Sequence, residues 1–188
     1  MKKKTLIPLI IVAAVVLIAG ITLISTYNGL VGAKESVDNA FSAIDTQLQR
    51  RADLIPNLVN TVKGYAAHEK AAIDSVTDAR ARLAGAQTVG EKSAANTELT
   101  GALGRLLVVV ENYPNLKADR NFIALQDELA GTENRIAVAR RDYNEIVRSY
   151  NTRVKTFPTN VFAGMFGFSA ADYFEAEETD REVPEVNF

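Results

Sequence analysis

The chain begins with a long apolar stretch that contains no charged side chain. No Asp, Glu, Lys or Arg lies between Lys4 and Lys34, and residues 6–24 are apolar at all but three positions. A helix of these nineteen residues, at about 1.5 Å per residue, reaches ~28 Å, close to the thickness of the hydrocarbon core of a bilayer. The pattern predicts one transmembrane helix, which anchors the chain in the lipid bilayer through residues 6–26.

A cleaved signal peptide is the alternative interpretation of this stretch. A signal peptide has a shorter apolar region that ends at a small-x-small cleavage site. Here the apolar run continues to Ile24, and Ser25, Thr26 and Tyr27 match such a site poorly. The pattern therefore favours a retained anchor. Whether the anchor is ever cleaved is left open.

The lysines around the span predict its orientation. Lys2, Lys3 and Lys4 precede the span, and the far side carries no Lys or Arg until Lys34. By the positive-inside rule the N-terminus stays in the cytoplasm. We therefore expect a single-pass protein of the cytoplasmic membrane whose C-terminal domain, residues 27–188, is extracytoplasmic.

Beyond the anchor, apolar residues recur with a helical period near 3.5, which is typical of helices that pack as a coiled coil or bundle. The first ladder is Leu30, Val37, Phe41, Ile44, Leu48, Ile55, Leu58, Val62 and Tyr65. The second is Phe122, Leu125, Leu129, Thr132, Ile136, Ala139, Tyr143, Ile146 and Tyr150. The predicted fold class is all-α, an up-and-down four-helix bundle behind the transmembrane helix.

Turn and capping residues divide the bundle into helices. Pro56 suggests a boundary between two helices near residue 52. A proline in the first turn of a helix is a weak boundary signal, so whether the first two helices are one continuous helix is left open. Thr88 and Glu91 predict a capping box, and Asp119 can cap the last long helix. The predicted helices are 26–51, 53–84, 91–112 and 119–156.

The resulting domain organisation has four parts. They are a cytoplasmic Lys-rich stub and anchor (1–26), a helical bundle (27–157), an aromatic and glycine-rich segment with a short helical turn (158–174), and an acidic tail (175–188).

The C-terminal segment is unusually rich in apolar residues. Two glycines, Gly164 and Gly167, argue against a helix, and Ser169 can cap a short turn instead. The segment either meets the membrane interface or folds back over the open end of the bundle. The acidic tail is expected to be solvated, or to add as a strand to the sheet edge of a partner. The candidate interaction residues are Phe162, Met165, Phe166, Phe168 and Phe188.

Several segments resemble the LemA family of bacterial membrane proteins. They are Asp53 to Val59, Lys63 to Ala66 with His68 and Glu69, Ala102 to Leu107 with Val109 to Glu111, Tyr113 to Ala118, Thr132 to Ala137, and Phe157 to Asn160. One departure is Phe41, where the family commonly has tryptophan. The resemblance implies an up-and-down four-helix bundle behind an N-terminal anchor in a bacterial membrane, and it supplies no settled biochemical activity.

Motifs for catalysis, metals or cofactors are weak. His68 is the single histidine, no second histidine follows four positions later, and the chain has no cysteine. The zinc-protease and di-iron patterns therefore fail. Glu133 and Arg135 lie in a dense run of charges that is typical of pairs fixing helix register. We predict no catalytic residue, no metal and no cofactor.

The expected function is a membrane-tethered helical scaffold or protein-interaction module of the bacterial cell envelope, without enzymatic activity. Its partners would be the bilayer and unidentified envelope proteins, and a homo-oligomer is left open. Nucleic acid is not expected, because the formal net charge is −2 and arginines alternate with acids. The alternative is an envelope enzyme or small-ligand-binding bundle, with a polar pocket around His68 and Glu69 or around Glu133 and Arg135.

Overall fold

The computed structural model describes residues 3–174, with side chains from Leu9 onward. Its helices are α1 (Lys3–Tyr65), α2 (Lys70–Gly85), α3 (Val89–Val110), α4 (Pro114–Lys117), α5 (Arg120–Lys155) and α6 (Thr159–Phe166). Between residues 3 and 174 the chain forms no strand. The predicted all-α class is confirmed.

The chain divides into two compact units, and both α1 and α5 contribute to each. Unit 1 comprises Met1–Asn39 and Glu145–Ala171, and unit 2 comprises Ala40–Asn144 and Asp172–Phe188. The apolar beginning of α1 belongs to unit 1. It is long and apolar enough to cross a membrane, and its apolar side chains are exposed, as side chains facing lipid must be.

The apolar ladders form the cores of the two units. In unit 1, Leu30, Val37, Val147 and Tyr150 are buried. In unit 2, α1 and α5 bury most of their ladder residues, and α2 and α3 add Val76, Leu99 and Leu106 among others. The buried ladder residues of unit 2 are Ile44, Leu48, Ile55, Leu58, Val62, Phe122, Thr132, Ile136 and Tyr143.

Helix α1 continues through Pro56, so the boundary predicted near residue 52 is absent, and the predicted helix 53–84 is instead divided at residues 66–69. Proline has no N–H, so the carbonyl of Ala52, four residues earlier, loses its helical donor. Ala52 is buried, which denies this carbonyl to water. The guanidinium Nε of Arg80 on α2 donates to it at 2.8 Å. A donor from a neighbouring helix thus replaces the missing backbone bond, and α1 ends instead at Tyr65.

The caps predicted at Thr88 and Asp119 are present. The side chain of Thr88 accepts from the backbone N–H of Glu91, and the Glu91 carboxylate accepts from the backbone N–H of Thr88, forming a capping box at the start of α3. Asp119 accepts from the backbone N–H groups of Asn121 and Phe122 at 2.9 and 3.0 Å and caps α5. These side chains satisfy amide groups that a helix start leaves without partners.

The C-terminal segment differs from the expectation of an irregular chain followed by a turn. Residues 159–166 form α6 despite Gly164, and the helix ends at Gly167, whose φ is 76°. That left-handed conformation suits glycine and lets the N–H of Phe168 donate to the carbonyl of Ala163 at 2.9 Å. Gly167 therefore terminates a helix. No turn forms at Ser169, because residues 168–174 are non-helical.

Candidate functional site

The aromatic residues of the C-terminal segment gather around Tyr27 in unit 1. The ring of Phe166 lies 5.0 Å from that of Tyr27, edge to face, and the ring of Phe168 lies at 5.9 Å. Such geometry is favourable for aromatic pairs. Tyr27 follows the apolar span by three residues, so these predicted interaction residues lie beside the end of the span.

The same segment presents two different faces. Ala163 is buried and Phe162 and Phe168 are half-buried, so one side of α6 packs onto unit 1. On the other side Val161 and Met165 expose 54% and 70% of their surface. Phe188, the last predicted interaction residue, and the acidic tail lie outside the described residues.

Two Tyr-Asn pairs on α5 hold the segment that follows α6. In unit 1 the amide of Asn151 donates to the carbonyl of Ala171 at 2.9 Å and accepts from its N–H at 2.7 Å. The hydroxyl of Tyr150 donates to the carbonyl of Ser169 at 2.9 Å. Burial raises the pKa of Tyr150, which keeps this hydroxyl a donor.

The second pair makes the same contacts within unit 2. Asn144 donates to the carbonyl of Phe174 and accepts from its N–H, both at 2.9 Å. The hydroxyl of Tyr143 donates to the carbonyl of Asp172 at 2.8 Å. We call residues 143–144 and 150–151 the Tyr-Asn clamps. Their contacts are with main-chain atoms, as in recognition of an extended peptide.

Sequence reasoning missed the clamps, although a signal was present. The dipeptide Tyr-Asn occurs at positions 143 and 150, seven residues apart. Residues at that spacing share one helix face. The tyrosines were assigned to the apolar ladder, and the asparagines beside them received no role.

His68 and Glu69 lie in the turn between α1 and α2. His68 is exposed, and the carboxylate of Glu69 accepts from the hydroxyl of Tyr113 at 2.8 Å. This hydrogen bond raises the pKa of Tyr113. A similar bond, 2.9 Å long, joins the Tyr65 hydroxyl to Asp119 and raises the pKa of Tyr65. The Tyr65 bond fastens the end of α1, and the Tyr113 bond the start of α2, to the connection between α3 and α5.

Glu133 and Arg135 bind different partners. Arg51, only 4% exposed, places its Nη1 atom 2.6 Å from Glu133 on α5 and 2.5 Å from the side-chain oxygen of Asn96 on α3. Arg135 instead pairs with Glu128 at 3.2 Å, and Glu128 also pairs with Arg50 at 2.5 Å. The Arg51 cluster ties three helices together and fixes their register.

A polar groove of about 410 Å³ lies in unit 1, and another of about 530 Å³ lies in unit 2. The second is lined mainly by Asn57, Asn60, Thr61 and Asn121, with Glu128 as its titratable side chain. That carboxylate is already paired with two arginines. Within the described part of the chain, no three His, Asp or Glu side chains converge as metal ligands.

The helical units and the apolar span at the start of α1 define a membrane-associated helical-bundle protein. The sequence comparison then gives its family. The model of the LemA family matches residues 40–188, which is most of the chain. The chain belongs to the LemA family.

Three relatives of the chain are 26–29% identical to it in sequence. Magnetosome protein MamQ 2 of Paramagnetospirillum magneticum is 29% identical over 82% of this chain and 66% of its own length. Protein LemA of Metamycoplasma hominis is 27% identical over 82% of this chain and 71% of its own. Magnetosome protein MamQ of Magnetospirillum gryphiswaldense is 26% identical over 88% and 71%, respectively. The chain thus spans slightly less than two thirds of the first relative.

Proposed function

We propose that this protein is a non-catalytic, membrane-tethered helical interaction module of the bacterial cell envelope. Its N-terminus would lie in the cytoplasm and its helical domain outside the inner membrane, as the three lysines before the span indicate. The helical domain would present an apolar surface to other envelope proteins. The observation that carries the proposal is the distribution of apolar side chains at one end of unit 2.

At that end α1 and α3 finish and α5 begins. Tyr65, Leu107, Val108 and Ile123 expose 45%, 39%, 67% and 43% of their surfaces there. We call these four residues the end surface. Each lies within about a turn of a helix terminus, and the Tyr65–Asp119 and Tyr113–Glu69 bonds hold those termini together. Exposed apolar side chains concentrated in one region generally mark a contact surface.

The polar groups support the same proposal, because many of them already bind one another. Arg51 pairs with Glu133, Arg135 with Glu128, and Glu69 with Tyr113. A catalytic site would need groups directed at a common point where a substrate atom can sit. The positions first considered for an enzyme, His68 with Glu69 and Glu133 with Arg135, are instead a turn and two separate ion pairs.

Site-specific photo-cross-linking in living cells tests the proposal. A photoreactive amino acid at Val108 should give discrete adducts with envelope proteins. Thr97 is the matched control, because it is exposed and lies eleven residues earlier on nearly the same face of α3. The probe at Thr97 should give only background.

The adducts at position 108 should depend on the rest of the end surface. Leu107→Ser combined with Ile123→Ser should remove them, while the level of the protein in the membrane stays unchanged. Equal, dispersed labelling from positions 108 and 97 would contradict the proposed interaction surface.

A further inference from the structure

We propose that α6 is a second membrane contact, a short helix lying in the lipid interface of the bilayer that α1 crosses. The ligand is a phospholipid surface that contains anionic headgroups. This contact is separate from the end surface of unit 2 and would persist if that surface proved inactive.

The position of α6 follows from its contact with Tyr27. Tyr27 lies three residues beyond Ile24, which is about 4.5 Å along a helix. The ring of Phe166, the last residue of α6, lies 5.0 Å from the Tyr27 ring. The polar headgroup layer extends several ångströms beyond the hydrocarbon core. The end of α6 is therefore at the level of the headgroups.

The exposed face of α6 has the character of an interfacial helix. Val161 and Met165 are four residues apart on α6 and share one face, and Phe157 lies in the turn just before this helix. Phe157, Val161 and Met165 expose 78%, 54% and 70% of their surfaces. We call these three residues the outer stripe. A helix that lies in the interface buries such a stripe among headgroups and acyl chains.

The charge near α6 complements anionic lipid. Residues 146–171 contain Arg148, Arg153 and Lys155 and no Asp or Glu. Arg153 lines the groove of unit 1 together with Asn28 and Gly29, which lie one turn beyond the span. Its guanidinium is thus near the height of the lipid phosphates, where cationic side chains are attracted to anionic headgroups.

Continuity with the membrane span selects lipid as the occupant of the outer stripe. The inner side of α6 packs through Ala163 within unit 1 and adjoins Tyr27 through Phe166. The lipid around residues 6–24 therefore reaches the outer stripe without any further partner having to be recruited. A second copy of the chain is the competing occupant, and the test separates the two.

Spin labelling of the full chain in vesicles tests the proposal. The natural sequence has no cysteine, so Val161→Cys and Met165→Cys each give a single labelling site. Thr97→Cys is the matched control, because Thr97 is exposed, lies outside the end surface and belongs to unit 2. Each variant is reconstituted in vesicles of phosphatidylcholine with phosphatidylglycerol. Collisions of the label with oxygen and with a water-soluble nickel chelate are then compared.

Labels at positions 161 and 165 should show an oxygen-to-nickel collision ratio severalfold above that at position 97, because oxygen concentrates in lipid. A ratio equal to that at position 97 would overturn the proposal. Magnetic broadening between labels at 165, without the lipid-like ratio, would assign the stripe to a second copy and also overturn it.

A separate experiment tests whether the cationic side chains contribute to the lipid contact. Arg153→Gln with Lys155→Gln should lower the ratio at position 165 in vesicles that contain phosphatidylglycerol and leave it unchanged in pure phosphatidylcholine. Equal ratios for the variant and the parent in both vesicle types would contradict the role of these two cations.

Discussion

At the scale of single residues, hydrogen bonds between side chains and main chain hold the C-terminal segment. Asn144 and Asn151 each satisfy both the N–H and the carbonyl of one residue in that segment. An amide suits this task because it offers a donor and an acceptor on one planar group. The segment is therefore held through its backbone as well as through aromatic side chains such as Phe168 and Phe174.

Removing one clamp amide should destabilise the fold measurably. Asn151→Ala deletes two hydrogen bonds at a residue that is 5% exposed and should lower the free energy of unfolding by ~1–3 kcal/mol. Asn134→Ala is the control, because Asn134 is exposed on the same helix and its substitution changes helix propensity equally. Chemical unfolding in detergent micelles measures both. Equal losses for the two variants would show that the clamp contributes nothing.

Acid should weaken the fold partly through Asp119. The backbone N–H of Phe122 and the hydroxyl of Tyr65 lower the pKa of Asp119, so the folded state holds this proton less tightly than the unfolded state. The stability that the Asp119 carboxylate contributes is present above the ordinary Asp pKa of about 3.9. It is lost as pH falls through the lower pKa of the folded state. Between about pH 5 and pH 2, the Tm of the natural chain should fall more steeply than that of Asp119→Asn. Parallel Tm curves would contradict this.

Truncation should destabilise the fold at a buried ladder residue of α5 and have little effect in the exposed turn between α1 and α2. Ile136 is 2% exposed, so Ile136→Ala should cost ~2–5 kcal/mol of unfolding free energy. His68→Ala, at an exposed turn position, should change it by less than about 0.5 kcal/mol. It should also leave any cellular phenotype intact. A lost phenotype with unchanged stability at His68 would restore the catalytic interpretation.

At the scale of helices, the Arg80–Ala52 bond explains how α1 tolerates Pro56. Arg80→Met should cost ~1–3 kcal/mol of unfolding free energy, because it leaves a buried carbonyl without its donor. In a Pro56→Ala background the backbone N–H at position 56 supplies that donor, so the same Arg80→Met substitution should cost clearly less. A double-mutant cycle of unfolding free energies measures the difference. Additive costs would show that Arg80 does not replace the missing bond.

The positions of the helices and their caps are the parts of the fold that the sequence could predict. Ladder residues such as Ile44, Leu58 and Ile136 were predictable because burial imposes a helical period on the chain. The caps at Thr88 and Asp119 were predictable because capping is local in sequence. Such local signals fix where most of the helices lie.

Long-range contacts were not predictable in this way. The helix through Pro56 depends on an arginine 24 residues away, since Arg80 donates to the carbonyl that proline leaves without a partner. The clamps depend on backbone atoms about twenty to thirty residues beyond the asparagines. Neither the helical period of apolar residues nor a capping residue in the sequence indicates such a pairing.

At the scale of the whole molecule, the orientation across the membrane is the property to measure first. We expect Ser36→Cys to react with a membrane-impermeant thiol reagent on cells whose inner membrane is intact, because residues 27–188 are predicted to be extracytoplasmic. Ser36 is exposed on α1, so access within the fold does not limit the reaction. Lys2→Cys is the control and should react only after permeabilisation. The reverse pattern of labelling would contradict the predicted topology.

The continuity of α1 from the span into the cores of both units has a consequence for affinity. The helical domain shares a thin layer with every other protein of the same membrane, so a partner embedded there meets it in two dimensions instead of in bulk solution. Tethering of this kind produces effective concentrations on the order of millimolar. A contact with an intrinsic Kd of tens of micromolar would then be nearly saturated. For the proposed interaction, a few exposed apolar side chains at the helix ends would suffice, and the complex would still dissociate quickly.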